Sequence, residues 1–166
     1  MSGAGRVTYA RADGVHILRY HGRVTYVLAP AIKRFADGLL ERAGSDGWIF
    51  DLSRAESLDS TNLGVVARIA ELARTTGGAR IVILSTNEDI TDVLCSMGFD
   101  QTFDVVTSVP EEAVAGPDAE IGGAGASRDE LGHVMLDAHR MLMTLSETAR
   151  DEFQEVAAQL EAELSR

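Results

Sequence analysis

The sequence predicts an α/β fold in which a mixed sheet with a largely parallel core carries packed helices and is followed by a helical extension. Three observations carry this. β-type and helical runs alternate from Gly47 to Val106, which implies parallel strands joined by right-handed crossovers. The run Arg80-Ile81-Val82-Ile83-Leu84 is too continuously apolar for an exposed sheet face and reads as a strand buried on both sides. From Ser127 to the end, apolar residues recur in steps of three and four, the spacing of an amphipathic helix. A chain of 166 residues, 45% hydrophobic and 25% charged, accommodates one core domain plus an appendage. The expected division is a domain over residues 1–108, a flexible linker over 109–126 and an acidic helical tail over 127–166.

In order, a small-residue start (Ser2-Gly3-Ala4-Gly5) precedes two β-type runs, Val7–Arg11 and Val15–Tyr20. The Ala12-Asp13-Gly14 between them is a hairpin signal. His16 reads as a half-exposed strand residue, and His21-Gly22 as a turn into a further short extended segment, Arg23–Val27. Pro30 suits the first turn of a helix, where its missing N–H costs least. Ile32, Phe35, Ala36, Leu39 and Leu40 continue that helix until Ala43-Gly44-Ser45-Asp46-Gly47 ends it. A buried strand over Gly47–Leu52 leads through a 53–60 loop to a helix over about Ser60–Thr76, closed by Gly77-Gly78. After the strand Arg80–Leu84, Asn87 can cap a helix from Glu88 to Met97 that stops at Gly98, and Phe103–Val106 is a last strand.

The run from Pro110 to Ala126 is rich in Ala, Gly, Pro and acids and lacks apolar periodicity, as a linker does. Ser127 and Glu130 then form a capping box. The stripe Leu131, Met135, Ala138, Leu142, Leu145, Ala149, Phe153, Val156, Leu160 and Leu164 follows. A continuous helix would be about 58 Å long at ~1.5 Å per residue, more than so small a domain can cover. A break near Thr144-Leu145-Ser146 into two shorter helices is the alternative. The stripe needs an apolar partner, which could be its own domain, another copy of the helix or a different protein. His133 and His139 read as surface residues.

The net charge of −11 argues against direct nucleic-acid binding, because no surplus of Lys and Arg is available to neutralise phosphates. No apolar run approaches a membrane span and no signal-peptide pattern opens the chain, so a cytoplasmic location is expected. The single cysteine, Cys95, allows no internal disulfide and reads as a packing residue beside Val93, Leu94 and Met97. Phosphate loops, nucleophile elbows, metal-spaced His and Cys and dinucleotide fingerprints are missing from the sequence. No enzyme activity, cofactor or metal is therefore expected.

What remains is Leu58-Asp59-Ser60-Thr61-Asn62-Leu63-Gly64, joining the strand to the helix. Asp59, Ser60 and Thr61 are three candidate N-caps in a row, and capping alone does not single out a hydroxyl for chemistry. The free N–H groups and positive dipole of the helix end do favour a phosphate attached to either hydroxyl. The motif Asp59-Ser60-Thr61-Asn62-Leu63-Gly64, set between the strand Ile49-Phe50-Asp51-Leu52 and a helix followed by two glycines and Ile81-Val82-Ile83-Leu84, resembles that of a STAS domain, the domain of bacterial anti-sigma factor antagonists. The resemblance runs from the hairpin through Val106. It implies a mixed, largely parallel sheet of four or five strands with packed helices, and it selects Ser60 as the phosphorylated residue. It also implies an anti-sigma factor with serine kinase activity as partner and a PP2C-type phosphatase that reverses the modification. The expected partner-binding corner is Asp59, Ser60, Thr61, Asn62 and Leu63. Asn62 stands where many antagonists have glycine, and the tail lies outside the resemblance. The expected function is thus a phosphorylation-controlled partner switch that sequesters an anti-sigma factor when unphosphorylated. The alternative is a scaffold whose tail dimerises or docks a second protein.

Overall fold

Asp13 and Gly14 adopt positive φ angles of 49° and 82°, the backbone a two-residue hairpin turn demands. They join β1 (Arg6–Ala12) to β2 (Val15–Val24), which pair antiparallel with Ala12 opposite Val15. The computed structural model describes residues 4–42, 47–122 and 125–166. The expected features at Ser2-Gly3, at the helix end Ala43-Gly44-Ser45-Asp46 and at Gly123-Ala124 lie outside them. The chain does not turn at His21-Gly22. Gly22, at φ 68°, instead carries β2 through an irregular register, so the separate segment expected at Arg23–Val27 is partly the far end of β2.

β2 runs parallel to β3 (Gly47–Leu58), with Val24 opposite Leu58. This pairing extends the strand expected over 47–52 through most of the expected 53–60 loop. β4 (Arg80–Leu84) and β5 (Asp104–Val106) continue the sheet in parallel, and with β6 (Ala119–Glu120) at the other edge the order is β5-β4-β3-β2-β1-β6. The crossovers are α1 (Ala29–Leu40), α2 (Ser60–Gly77), α3 (Glu88–Met97) and the short α4 (Phe99–Thr102). α2 and α3 end on left-handed glycines, Gly78 and Gly98, as their sequences imply.

Alternation along the strands sends Leu18, Tyr20, Phe50 and Leu52 to the helix-covered face and Ile17, Arg19, Ile49 and Asp51 to the other. That second face is covered by the segment expected to be a flexible linker. Ala113 and Val114 pack on Ala10, Ile17 and Ile49. Ala119–Glu120 forms β6 against β1, and Ile121 is buried. Low apolar content hid this strap, because its attachment is polar. The Arg19 guanidinium, anchored by Nε to Asp51 at 3.0 Å, also donates to the Val114 carbonyl and the Asp118 carboxylate. Asp118 in addition accepts from the Thr8 hydroxyl at 2.7 Å.

Desolvation raises the Asp118 pKa, but the hydrogen bonds from Thr8 and Arg19 and the charge of Arg19 outweigh it and hold the group below the ordinary carboxylate value. Its contribution to stability is therefore complete above that ordinary value and is lost as pH falls through the lower, folded-state value. Asp118→Asn is expected to flatten the acid limb of a stability–pH curve while leaving the limb above pH ~6 parallel to that of the parent chain. Thermal melts across the acid range check this, and an unchanged acid slope would contradict it.

Two further expectations change. His16 is buried rather than half-exposed, with the Tyr9 hydroxyl 2.6 Å from its Nδ1 and the Trp48 ring beside it. Burial and then the nearby Arg11 lower its pKa, favouring the neutral ring. Cys95 is exposed rather than packed, since Leu94 and Met97 take the buried face of α3. The neighbouring Asp100 and Asp92 add to desolvation in keeping its thiol protonated.

The tail is a helical hairpin. α5 (Arg128–Met143) begins on the Ser127 cap, and α6 (Glu147–Leu164) begins on Ser146, whose side chain accepts from Ala149 N. The chain thus breaks in the Thr144–Ser146 region. For part of the apolar stripe the partner is the chain's own domain: Ala138, Leu142, Ala149 and Phe153 belong to the same core cluster as Phe50, Leu63 and Ile83, whereas Val156 is exposed.

Candidate functional site

β3 ends at Leu58 and α2 begins at Ser60, so Asp59 alone makes the turn and caps the helix. Its Oδ1 accepts from the Asn62 amide at 3.0 Å, the pairing expected of an N-cap. Its Oδ2 accepts from the Tyr26 amide, fastening the β2–α1 connection to the same corner. With capping assigned to Asp59, Ser60 becomes the first helical residue and its hydroxyl is free for another role. Thr61, Asn62 and Leu63, expected at the partner-binding corner, are buried, while Asp59 and Ser60 are half-buried. The Asn62 side chain donates to Asp59 Oδ1 at 2.9 Å and reaches the Val24 carbonyl at 3.4 Å. This residue braces the corner from inside.

The Ser60 hydroxyl lies 2.8 Å from His139 Nε2, a contact across 79 positions. His139 is 3% exposed, so its reading as a surface residue is corrected. It lies four residues after Met135 and three before Leu142, at the edge of the apolar stripe, and that spacing was the available signal for burial. Its Nδ1 is 2.6 Å from the Met135 carbonyl, which can only accept, so Nδ1 carries a proton. In the neutral ring Nε2 then accepts from Ser60. The Phe153 ring packs edge-on to the imidazole with centroids 5.3 Å apart.

A hydroxyl bonded to an imidazole is the start of a nucleophile–base pair, and its surroundings here are set by packing. The imidazole is enclosed, its second nitrogen is held by a carbonyl rather than a carboxylate, and the Asn62 amide is already taken by Asp59.

One turn further along α2, Gly64 lets the two helix backbones touch. A methyl group at Gly64 would lie 2.2 Å from the Ala138 carbonyl oxygen. At the hairpin turn Ser146 donates to the Met97 carbonyl at 2.8 Å, and Arg34 of α1 pairs with Glu130 of α5. Large apolar side chains are exposed near the corner: Tyr26, whose amide is bound by Asp59, and Val27 are 45% and 68% exposed, and Val93 of α3 is also exposed. A shallow cleft of ≈ 280 Å³ among Leu58, Leu63, Ile90 and Val93 adjoins them.

A strand, a single-residue Asp cap and a serine opening a helix, on a largely parallel sheet begun by an antiparallel hairpin, define a class of domain. The STAS domain family model matches residues 6–112, and the chain belongs to that family. Among solved structures, an anti-sigma factor antagonist from Mycobacterium paratuberculosis is similar at a TM-score of 0.58 and 22% identity, over 68% of this chain and 96% of the other. A putative anti-sigma factor antagonist from Thermotoga maritima matches at a TM-score of 0.53 and 26% identity, over 61% of this chain and 86% of the other. The anti-sigma factor antagonist SpoIIAA in its unphosphorylated form matches at a TM-score of 0.51 and 19% identity, over 67% of this chain and 94% of the other. No curated protein is similar enough to count as a match. Among the described residues no helix is long and apolar enough to cross a membrane, and no cluster of side chains could hold a metal ion.

Proposed function

We infer that this chain is a cytoplasmic, non-enzymatic anti-sigma factor antagonist that changes partners according to phosphate on Ser60. The observation that carries the reading is the division of labour at the corner: Asp59 caps α2, leaving Ser60 as a half-buried hydroxyl at the positive end of the helix. Solved structures of anti-sigma factor antagonists share the fold. The exposed Tyr26, Val27 and Val93 beside that corner supply apolar surface for a protein partner. The partner is an anti-sigma factor with serine kinase activity, and a PP2C-type phosphatase restores the unmodified state.

A phosphate adds about −1.5 to −2 charges beside Asp59. An unpaired charge trapped in an interface costs several kcal/mol, and about 1.4 kcal/mol already lowers affinity tenfold. Ser60→Asp is therefore expected to weaken binding to the cognate anti-sigma factor by roughly tenfold or more, and Ser60→Ala to bind constitutively. Titration calorimetry of both variants against the serine-kinase anti-sigma factors of the source organism tests this, with mass spectrometry to locate phosphate after incubation with ATP. Equal affinities, or phosphate on another residue, would overturn it.

A further inference from the structure

We propose that the face of α2 carrying Ser60 and Gly64 is an internal docking surface whose occupant is the chain's own α5–α6 hairpin, and that a phosphate on Ser60 and the docked hairpin exclude one another. This rests on the reading of Ser60 as the phosphoacceptor and extends it to the tail, which the STAS family match over residues 6–112 does not reach.

The argument is one of space and of hydrogen-bond polarity. The Ser60 oxygen is 2.8 Å from His139 Nε2, so in this rotamer a phosphoryl group on that oxygen needs volume that the imidazole now fills. The imidazole cannot swing aside within the docked hairpin, because Nδ1 is held by Met135 and the ring is packed against Phe153. α5 is also seated tightly on the domain. At Gly64 and Ala138 the two backbones are in contact, and at Gly98 the hairpin turn is also close, a methyl there lying 2.9 Å from the Leu145 carbonyl oxygen. Packed helices of this kind move between discrete arrangements rather than sliding continuously. Phosphorylation also removes the hydroxyl proton of Ser60, so the present hydrogen bond between Ser60 and His139 is lost. Phosphate on Ser60 therefore replaces the attraction that latches the hairpin with a clash and a charge.

The released hairpin carries Val134, Ala138, Leu142 and Phe153 on one face, all buried in the docked state. One modification then changes two surfaces: the corner beside Asp59 gains charge, and an apolar helical face becomes available.

Hydrogen–deuterium exchange on the full chain, with phosphoserine placed at position 60 during translation, tests the latch. Amides of α5 and α6 are expected to exchange roughly tenfold faster or more than in unmodified protein, while β3 and β4 keep their protection. A second variant, Gly64→Ala, forces the hairpin off α2 without any phosphate and is expected to show the same pattern. Unchanged or slower exchange in the phosphoserine protein overturns the proposal, because the imidazole would then be clasping the phosphate. Equal acceleration in β3 and β4 overturns it too, because the domain itself would be opening. No anti-sigma factor enters this measurement, so its failure leaves the partner switch standing. Equal binding of Ser60→Asp and Ser60→Ala would remove the switch without touching the latch.

Discussion

Arg19→Met is expected to cost about 3–5 kcal/mol of folding stability, because it leaves the carboxylate of Asp51 buried without its counter-charge. Asp51 is 2% exposed and Arg19 7%, on the sheet face opposite the helices. The remaining partners of Asp51 are the amide and hydroxyl of Ser53, at 2.9 and 2.6 Å on Oδ1. They satisfy that oxygen but do not replace a cation. The same substitution removes the donor to Val114 and one of the two side-chain donors to Asp118, leaving Thr8, so the strap loses part of its polar anchor. Urea unfolding read by Trp48 fluorescence checks the size of the loss, and a change below about 1 kcal/mol would contradict it. The double variant Arg19→Met/Asp51→Leu separates the causes. It removes both charges and is expected to recover a large part of the stability, since a buried ion pair replaced by apolar side chains is commonly neutral or better. If the double variant is as unstable as the single one, the loss belongs to the strap and not to the stranded charge.

This ion pair also shows where reading the sequence stops. Elements set by local chemistry were legible: the Asp13-Gly14 turn, Asn87 capping α3, Gly78 and Gly98 ending helices, and Ser127 opening α5 all act over a few residues. The apolar run of β4 was legible for the same reason, as its neighbours on both faces are implied by composition. What depended on distant contacts was not. β3 runs on through Ser53, Arg54, Glu56 and Ser57 because β2 is long enough to pair with it, although those residues look like a loop. The 109–126 segment is bound by Arg19, and nothing near Asp118 in sequence announces an arginine 99 positions away.

At the site, the acidic cap, the serine and the glycine one turn later could all be read, but capping chemistry left three residues equivalent until the fold assigned the cap to Asp59. Gly64 had no local reason, and its reason is Ala138. The spacing of His139 from Met135 and Leu142 signals burial, but only the three-dimensional hairpin brings it to Ser60.

Leu142→Ala is expected to cost about 2–5 kcal/mol, the range for deleting a fully buried leucine side chain. Leu142 is 0% exposed and belongs to the core cluster that includes Leu63, Leu94 and Phe99. An independent, solvated tail would lose almost nothing from the same change, so the magnitude measures directly whether the hairpin is part of the domain. Urea titrations followed by far-ultraviolet circular dichroism and by Trp48 fluorescence supply two reporters, one dominated by helices and one in the sheet. In the parent chain the two curves should coincide. In Leu142→Ala the helical signal is expected to fall first if the weakened hairpin leaves before the sheet opens, and a loss below about 1 kcal/mol with coincident curves would mean that the tail contributes no docking energy. The same number bounds what phosphate on Ser60 must accomplish. To undock the hairpin it must outweigh the docking free energy, and since about 1.4 kcal/mol is a factor of ten in population, each kcal/mol removed at Leu142 shifts the hairpin toward release before any modification. Leu142→Ala with phosphoserine at position 60 should therefore release the hairpin more completely than either change alone.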